Sequence, residues 1–256
     1  MKKLFPVYPL FLVFFLAFSA FSCKKEGTPV PQPPIAAEVN VPDAKLRNAI
    51  KAALNLSAAD KITVENILAL DTLNIDGGAD SIGNISGIAD LTGLEAATEL
   101  TYLHMGNTAV TDLTPLAGLR KVKYLRFNNT GVTSIEAIRQ WTSLLYFNAN
   151  TVTGLTDISP LAGNTGLQEA ILRNVPFGNP GMTTIAGLTS LYRLNMRATG
   201  VTDITALVSI MNAGGLLNST PGAAAAGGAT LDLRGNTVDC TLLDPYRSQI
   251  ANLDGC

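Results

Sequence analysis

An internal repeat constrains this chain more than any other feature. Segments beginning at Leu100, Val122, Leu144, Leu167 and Leu191 share one apolar pattern at spacings of 22, 22, 23 and 24 residues. A period of that length belongs to solenoids, in which each copy packs only on its neighbours. The first copy places apolar residues at Leu100, Leu103, Met105, Val110, Leu113, Leu116 and Leu119, and the second matches it at Val122, Leu125, Phe127, Val132, Ile135, Ile138 and Trp141. The fifth repeats the series at Leu191, Leu194, Met196, Val201, Ile204, Leu207 and Ile210. A degenerate copy precedes the set at Leu70, Leu73 and Ile75, and a last one follows at Leu231, Leu233 and Val238. A single copy cannot bury its apolar face alone, so the copies must stack into one continuous core.

Within a copy, the fourth and sixth positions alternate with polar residues, which predicts a short strand sending two side chains inward. Leu113, Leu116 and Leu119, like Ile135, Ile138 and Trp141, are spaced by three, the period of a 3-10 turn. Asp112, Asp157 and Asp203 precede these turns, where their carboxylates can accept free N–H groups, and Pro115 and Pro160 suit a first turn. Composition agrees. With 47% hydrophobic residues the core is well supplied, while 15% charged residues and 23 glycines favour short strands and turns over long surface helices.

The run LTYLHMGNTAVTDLTPLAGL from Leu100 to Leu119 resembles the leucine-rich-repeat family, in particular its internalin-like class of 22-residue repeats. The resemblance extends roughly from Val41 to Cys256. It implies an α/β repeat solenoid: a right-handed arc with a parallel concave β-sheet, a 3-10 or irregular convex side and a helical N-terminal cap. That cap falls on residues 40–67, where VPDAKLRNAIKAAL sets Leu46, Ile50, Ala53 and Leu54 on one helical face behind Asp43 as N-cap. Thr63 starts a second short helix through Ile67. Repeats are expected over 68–238 and a C-terminal cap over 239–256. The ninth position of each copy, commonly Asn in the family, holds Thr108, Thr130 and Thr199, with Asn only at Asn236. Threonine can still satisfy a neighbouring backbone group, but Val152 and Val175 cannot, so the third and fourth copies are expected to be irregular. Insertions near Val175–Gly181 and at Asn212–Gly227 are expected to be surface loops, the second mobile or a short hairpin.

Between the core positions, the third, fifth and seventh residues of each strand segment point outward. The third column is read as Tyr102, Tyr124, Tyr146, Glu169, Tyr192 and Thr230, the fifth as His104, Arg126, Asn148, Ile171, Asn195 and Asp232, and the seventh as Gly106, Asn128, Asn150, Arg173, Arg197 and Arg234. Tyrosine and arginine dominate binding hot spots. The expected binding strip is therefore Tyr102, Tyr124, Arg126, Tyr146, Asn148, Arg173, Tyr192, Arg197 and Arg234. Stacked tyrosines also stabilise adjacent strands, and for any single ring both roles stand open. The family resemblance implies a protein ligand on the concave face of a monomer. Tyrosine faces can also stack on sugar rings, so a glycan ligand is the alternative, with a purely architectural envelope role as a third.

Residues 1–22 read as a secretion signal, with Lys2 and Lys3 ahead of an apolar run from Leu10 to Phe18. The alternative, an uncleaved membrane anchor, is opposed by Pro6 and Pro9, which leave a run short for a bilayer. Ala20-Phe21-Ser22-Cys23 resembles a bacterial lipobox, which implies a lipidated Cys23 and a membrane-anchored protein of the bacterial envelope, at the outer membrane or cell surface. Residues 23–39, with GTPVPQPP at their centre, are expected to form a Pro-rich tether. Two further cysteines, Cys240 and Cys256, suggest a disulfide in an exported chain. A metal pair there lacks other ligands, because the only histidine is the distant His104.

Several function classes are disfavoured. Removing Lys2 and Lys3 from 18 basic residues leaves 16 against 20 acidic ones, a net −4 that opposes nucleic-acid binding. No G-x-S-x-G, H-E-x-x-H, P-loop or Gly-rich dinucleotide turn occurs, so neither an enzyme nor a small-molecule cofactor is expected. His104 is expected as an outward strand residue with no carboxylate beside it. The segment Asp76-Gly77-Gly78-Ala79-Asp80 lacks the ligand count of a calcium loop and is expected to be solvated.

Overall fold

A computed structural model describes residues 37–77 and 87–256. The expected secretion signal over residues 1–22 and residues 23–36 of the expected tether, Cys23 among them, lie outside the described residues. The last part of that tether belongs to the folded body instead. Glu38 forms an antiparallel bridge with Thr63, the Val39 N–H donates to the Ile62 carbonyl at 2.9 Å, and the Val64 N–H donates to the Ala37 carbonyl at 2.9 Å. These bonds give partners to backbone groups at the edge of the packed cap.

Eight three-residue strands form one parallel sheet in chain order: β1 (Thr72–Asn74), β2 (Tyr102–His104), β3 (Tyr124–Arg126), β4 (Tyr146–Asn148), β5 (Glu169–Ile171), β6 (Arg193–Asn195), β7 (Thr230–Asp232) and β8 (Asn252–Asp254). Each strand's central residue turns inward; Leu73, Leu103, Leu125, Phe147, Ala170, Leu194 and Leu231 align from strand to strand and are buried. Together they form one continuous core, in which Phe127 and Phe147 meet edge to face at 5.4 Å. At the start of the chain, α1 (Ala44–Ala53) buries Leu46, Ala49 and Ile50, with Asp43 accepting the Lys45 and Leu46 N–H groups. Ala53, expected on that face, is exposed and Leu54 is half-buried, because the helix ends there and the chain turns back at Asn55 in the left-handed region. A capping box between Thr63 and Asn66 sets α2 (Val64–Ile67).

The convex returns follow the spacing of three. Tight 3-10 turns cover Thr114–Leu116, Glu136–Ile138 and Ser159–Gly163, and Asp112, Asp157 and Asp203 accept the N–H groups of Thr114, Ser159 and Thr205. The fifth copy departs from this, closing with an α-helix, α4 (Thr205–Asn212), in which Leu207, Ile210 and Met211 are buried. The first insertion is also helical rather than a loop. Its GNPG run opens α3 (Gly178–Ala186), held by buried Phe177, Met182 and Ile185. Of the two copies expected to be irregular, the fourth departs in its return, α3, while the third keeps a 3-10 return, and β4 and β5 both keep their parallel register.

The second insertion packs on the fifth copy instead of moving freely, and it contains no hairpin. Leu216, Leu217 and Ala223 are buried, and the Leu216 N–H donates to the Leu191 carbonyl at 2.6 Å. After β2–β6 the eighth position takes positive φ, at Asn107, Asn129, Thr151, Asn174 and Ala198, and among residues with a side chain Asn tolerates this best. The ninth-position hydroxyls of Thr108, Thr130 and Thr199 donate to the carbonyls of Met105, Phe127 and Met196, while Asn236 alone bridges two copies by reaching Met196 and Leu233. At the other end Cys240 and Cys256 are disulfide-bonded, and β8 adds a strand within the residues expected only to cap.

Candidate functional surface

The strand register fixes which side chains share the concave face, and it moves one expected residue off it. Glu169 pairs with Arg193, and Arg193 with Thr230, so the third column reads Tyr102, Tyr124, Tyr146, Glu169, Arg193 and Thr230. Tyr192 stands one position earlier. With Leu191 as position one and Leu194 as position four, strict counting gives Arg193 as the third residue. Tyr192 is only 8% exposed, and Gly222 of the second insertion lies against its ring, so close that a Cβ there would stand 2.8 Å from Cε1. Its hydroxyl donates to Glu169 Oε1 at 2.8 Å. Burial, followed by that bond and the Glu169 charge, pushes the phenol up to about 12, which keeps it a neutral donor.

Three rings remain on β2, β3 and β4. Tyr102 and Tyr124 have ring centroids 6.0 Å apart, the Tyr146 hydroxyl accepts from Asn148 Nδ2 at 2.8 Å, and Tyr124 is 40% exposed. Beside them lies a cluster that residue counting missed. His104 Nδ1 meets the Tyr102 hydroxyl at 2.7 Å and stands 4.0 Å from Asp76 Oδ2, which also pairs with Arg126 at 3.2 Å. Asp76 therefore does not lie in a solvated loop, and a carboxylate does stand beside the histidine. Asp76 occupies the seventh position of the degenerate copy, level with Gly106, whose N–H donates to it at 2.5 Å. Counting seven from Leu70 would have found it. Burial holds the His104 imidazole below its ordinary value, with Arg126 adding to that effect and Asp76 opposing it. Burial first, and Asp76 second, raises the Tyr102 phenol.

Towards the C-terminus the face is charged. Arg193 pairs with Glu169 at 2.9 Å, and Arg234 forms a fork on Asp232 at 2.9 and 2.7 Å while reaching Asp254 at 3.4 Å. The Arg234 bond holds the Asp232 carboxyl below its usual range despite the opposing effect of burial. Arg173 and Arg197 have no ion pair among the described residues. The sheet thus brings Tyr102, Tyr124, Arg126, Tyr146 and Asn148 together on β2–β4. Arg173, Arg197 and Arg234 fall at the seventh position of the copies carrying β5–β7. Among the described residues no group of three or more His, Cys, Asp and Glu side chains could hold a metal ion, and no helix is long and apolar enough to cross a membrane.

Solved structures resemble this arrangement. Internalin C2 of Listeria monocytogenes superposes with a TM-score of 0.68 at 24% identity, over 86% of this chain and 96% of that one. Internalin F of the same organism gives 0.53 at 24% identity, over 86% of this chain and 71% of that one. No protein-family model matches the sequence, and no curated protein matches it. At this identity the likeness is one of fold: the chain has the leucine-rich-repeat solenoid fold of the internalins.

Proposed function

We propose that this chain is a binding scaffold of the bacterial envelope, anchored to a membrane through Cys23, which holds a protein partner on its concave face. The observation that carries the reading is the aromatic strip Tyr102, Tyr124 and Tyr146, in register on three neighbouring strands and most exposed at its centre. The core beneath is already filled by Leu103, Leu125 and Phe147, so the fold does not need these rings to exclude water. Large rigid rings beside paired charges are the surface type on which hot spots form. The fold itself is silent on the partner, and supports only the kind of surface displayed.

The test is truncation of the strip. Tyr124→Ala with Tyr146→Ala should weaken capture of a crosslinked partner by about 2–4 kcal/mol, while the melting curve shifts by the amount of a surface change. If the variant unfolds and its folded fraction binds normally, the rings are structural. A polysaccharide array run in parallel addresses the glycan reading, which predicts retention of sugars that the same variant loses. For the anchor, Cys23→Ala should release the protein from the membrane fraction, because the Pro-rich tether has no apolar face of its own. Membrane retention of that variant once residues 1–22 have been removed would take the anchor out of the proposal.

A further inference from the structure

We infer that the partner presents an acidic side chain to a seat formed by Arg173 and Arg197. This rests on the concave-face reading and adds to it the chemistry of the bound group. The two arginines occupy the seventh position of adjacent copies, just past β5 and β6. The backbone ladder continues through them: the Thr151 N–H donates to the Arg173 carbonyl at 2.8 Å, and the Asn174 N–H to the Arg197 carbonyl at 2.8 Å. Neighbouring strands lie about 4.8 Å apart, so the two arginines leave the backbone side by side.

Every other arginine on this face has a carboxylate: Arg126 has Asp76, Arg193 has Glu169, and Arg234 has Asp232 with Asp254. Arg173 and Arg197 have none within 4.0 Å among the described residues. Asp232 feels the Arg197 charge, but both its oxygens are already engaged by Arg234. On one side the neighbours are neutral, with Asn195 accepting the Arg197 N–H and Asn150 accepting from the Thr151 hydroxyl; on the other, Arg234 is already held by Asp232 and Asp254. Like charges directly opposite one another across a ladder disfavour the folded state, and one carboxylate bridging both forks would reverse that.

A carboxylate side chain fits better than a polyanion. Arg234, next in the column, is neutralised by Asp232 and Asp254, Glu169 lies on the same face, and the whole chain is acidic, with 20 acidic against 18 basic residues. A sulfated glycan or polyphosphate needs a basic stripe, and here it would meet those carboxylates one strand away. A single Asp or Glu next to an apolar group, by contrast, could seat on the arginines while its neighbours reach the tyrosine strip.

The experiment is selection of peptides from a random display library on the full chain, followed by titration of each binder and its Glu-to-Gln twin. Binders should carry an acidic residue, and neutralising it should weaken binding at least tenfold. The same exchange should have little effect against the Arg173→Gln, Arg197→Gln variant, whose positions, one exposed and one half-buried, lie outside the apolar core. An Arg173→Lys, Arg197→Lys variant keeps the charge but loses the fork, and should fall between the two. Binders that need Tyr124 yet ignore the Glu-to-Gln exchange would overturn this inference and leave the concave-face reading standing. Peptides indifferent to both Tyr124 and the arginines would overturn both. Heparin or polyphosphate binding through the arginines more tightly than any peptide would also overturn it, in favour of a polyanion.

Discussion

At the scale of single residues, two neighbours in sequence divide the labour of β3. Leu125 is fully buried between Leu103 and Phe147, and Tyr124 is exposed on the opposite face. Leu125→Ala should cost about 2–5 kcal/mol in denaturant unfolding, because the emptied space cannot collapse between two flanking repeats. A loss like that of Tyr124→Ala would mean the core is not packed as described. His104 offers a pH-dependent counterpart. Its burial lowers the imidazole below 6.5, so between the two values the unfolded chain binds more protons and stability rises with pH. The contribution is fully present above about pH 6.5 and is lost as pH falls through the lowered folded value. Carboxylates such as Asp232, held below 3.8, act only at lower pH. In urea titrations from pH 8 to 5, His104→Asn should flatten the stability profile; an unchanged slope would show that the imidazole is not the source.

At the scale of elements, strands and 3-10 turns were legible because their periods of two and three leave different apolar spacings in the same copy. The returns that became helices were not legible. Gly-Asn-Pro-Gly reads as a turn, yet Pro180 is tolerated in a first helical turn and Phe177, Met182 and Ile185 supply the burial that decides the matter. The position of Tyr192 was legible, since strict counting from Leu191 makes it the second residue and Arg193 the third; what was hidden is the burial of its ring by an insertion whose packing has no sequence period. For the other eight residues of the expected strip, counting gave the same third, fifth or seventh position as the strand register. Asp76 beside His104 escaped notice because the copy that carries it is degenerate. If the second insertion is a packed element, Gly222→Ala should cost about 1–3 kcal/mol, since φ is +90° and the new Cβ meets the Tyr192 ring. Gly227→Ala, at φ +82° with open space around it, should cost only about 1 kcal/mol. Equal effects in a denaturation assay would mean that the contact with Tyr192 contributes nothing.

At the scale of the whole molecule, stability is distributed along one dimension, because each copy touches only its neighbours and both ends of the core must be closed. The N-terminal end is closed by α1 and α2, which bury Leu46, Ile50 and Ile67, with α1 packed against the first strand. The C-terminal end has less apolar material, since Leu253 of β8 is only half-buried and the preceding 3-10 stretch Cys240–Gln249 buries Leu243 alone. There a covalent link substitutes for area. Closing a 16-residue separation between Cys240 and Cys256 removes freedom from the opened end, worth about 3 kcal/mol by chain entropy. Changing both cysteines to serine should therefore open the end without opening the middle. Hydrogen exchange at the Leu233 and Asn252 amides, which hold β7 and β8 together, should accelerate about a hundredfold. The Met105 and Phe127 amides between β2, β3 and β4 should exchange as before. Equal acceleration everywhere would mean that the solenoid opens as a single unit. No acceleration at β7 and β8 would mean that packing alone closes that end.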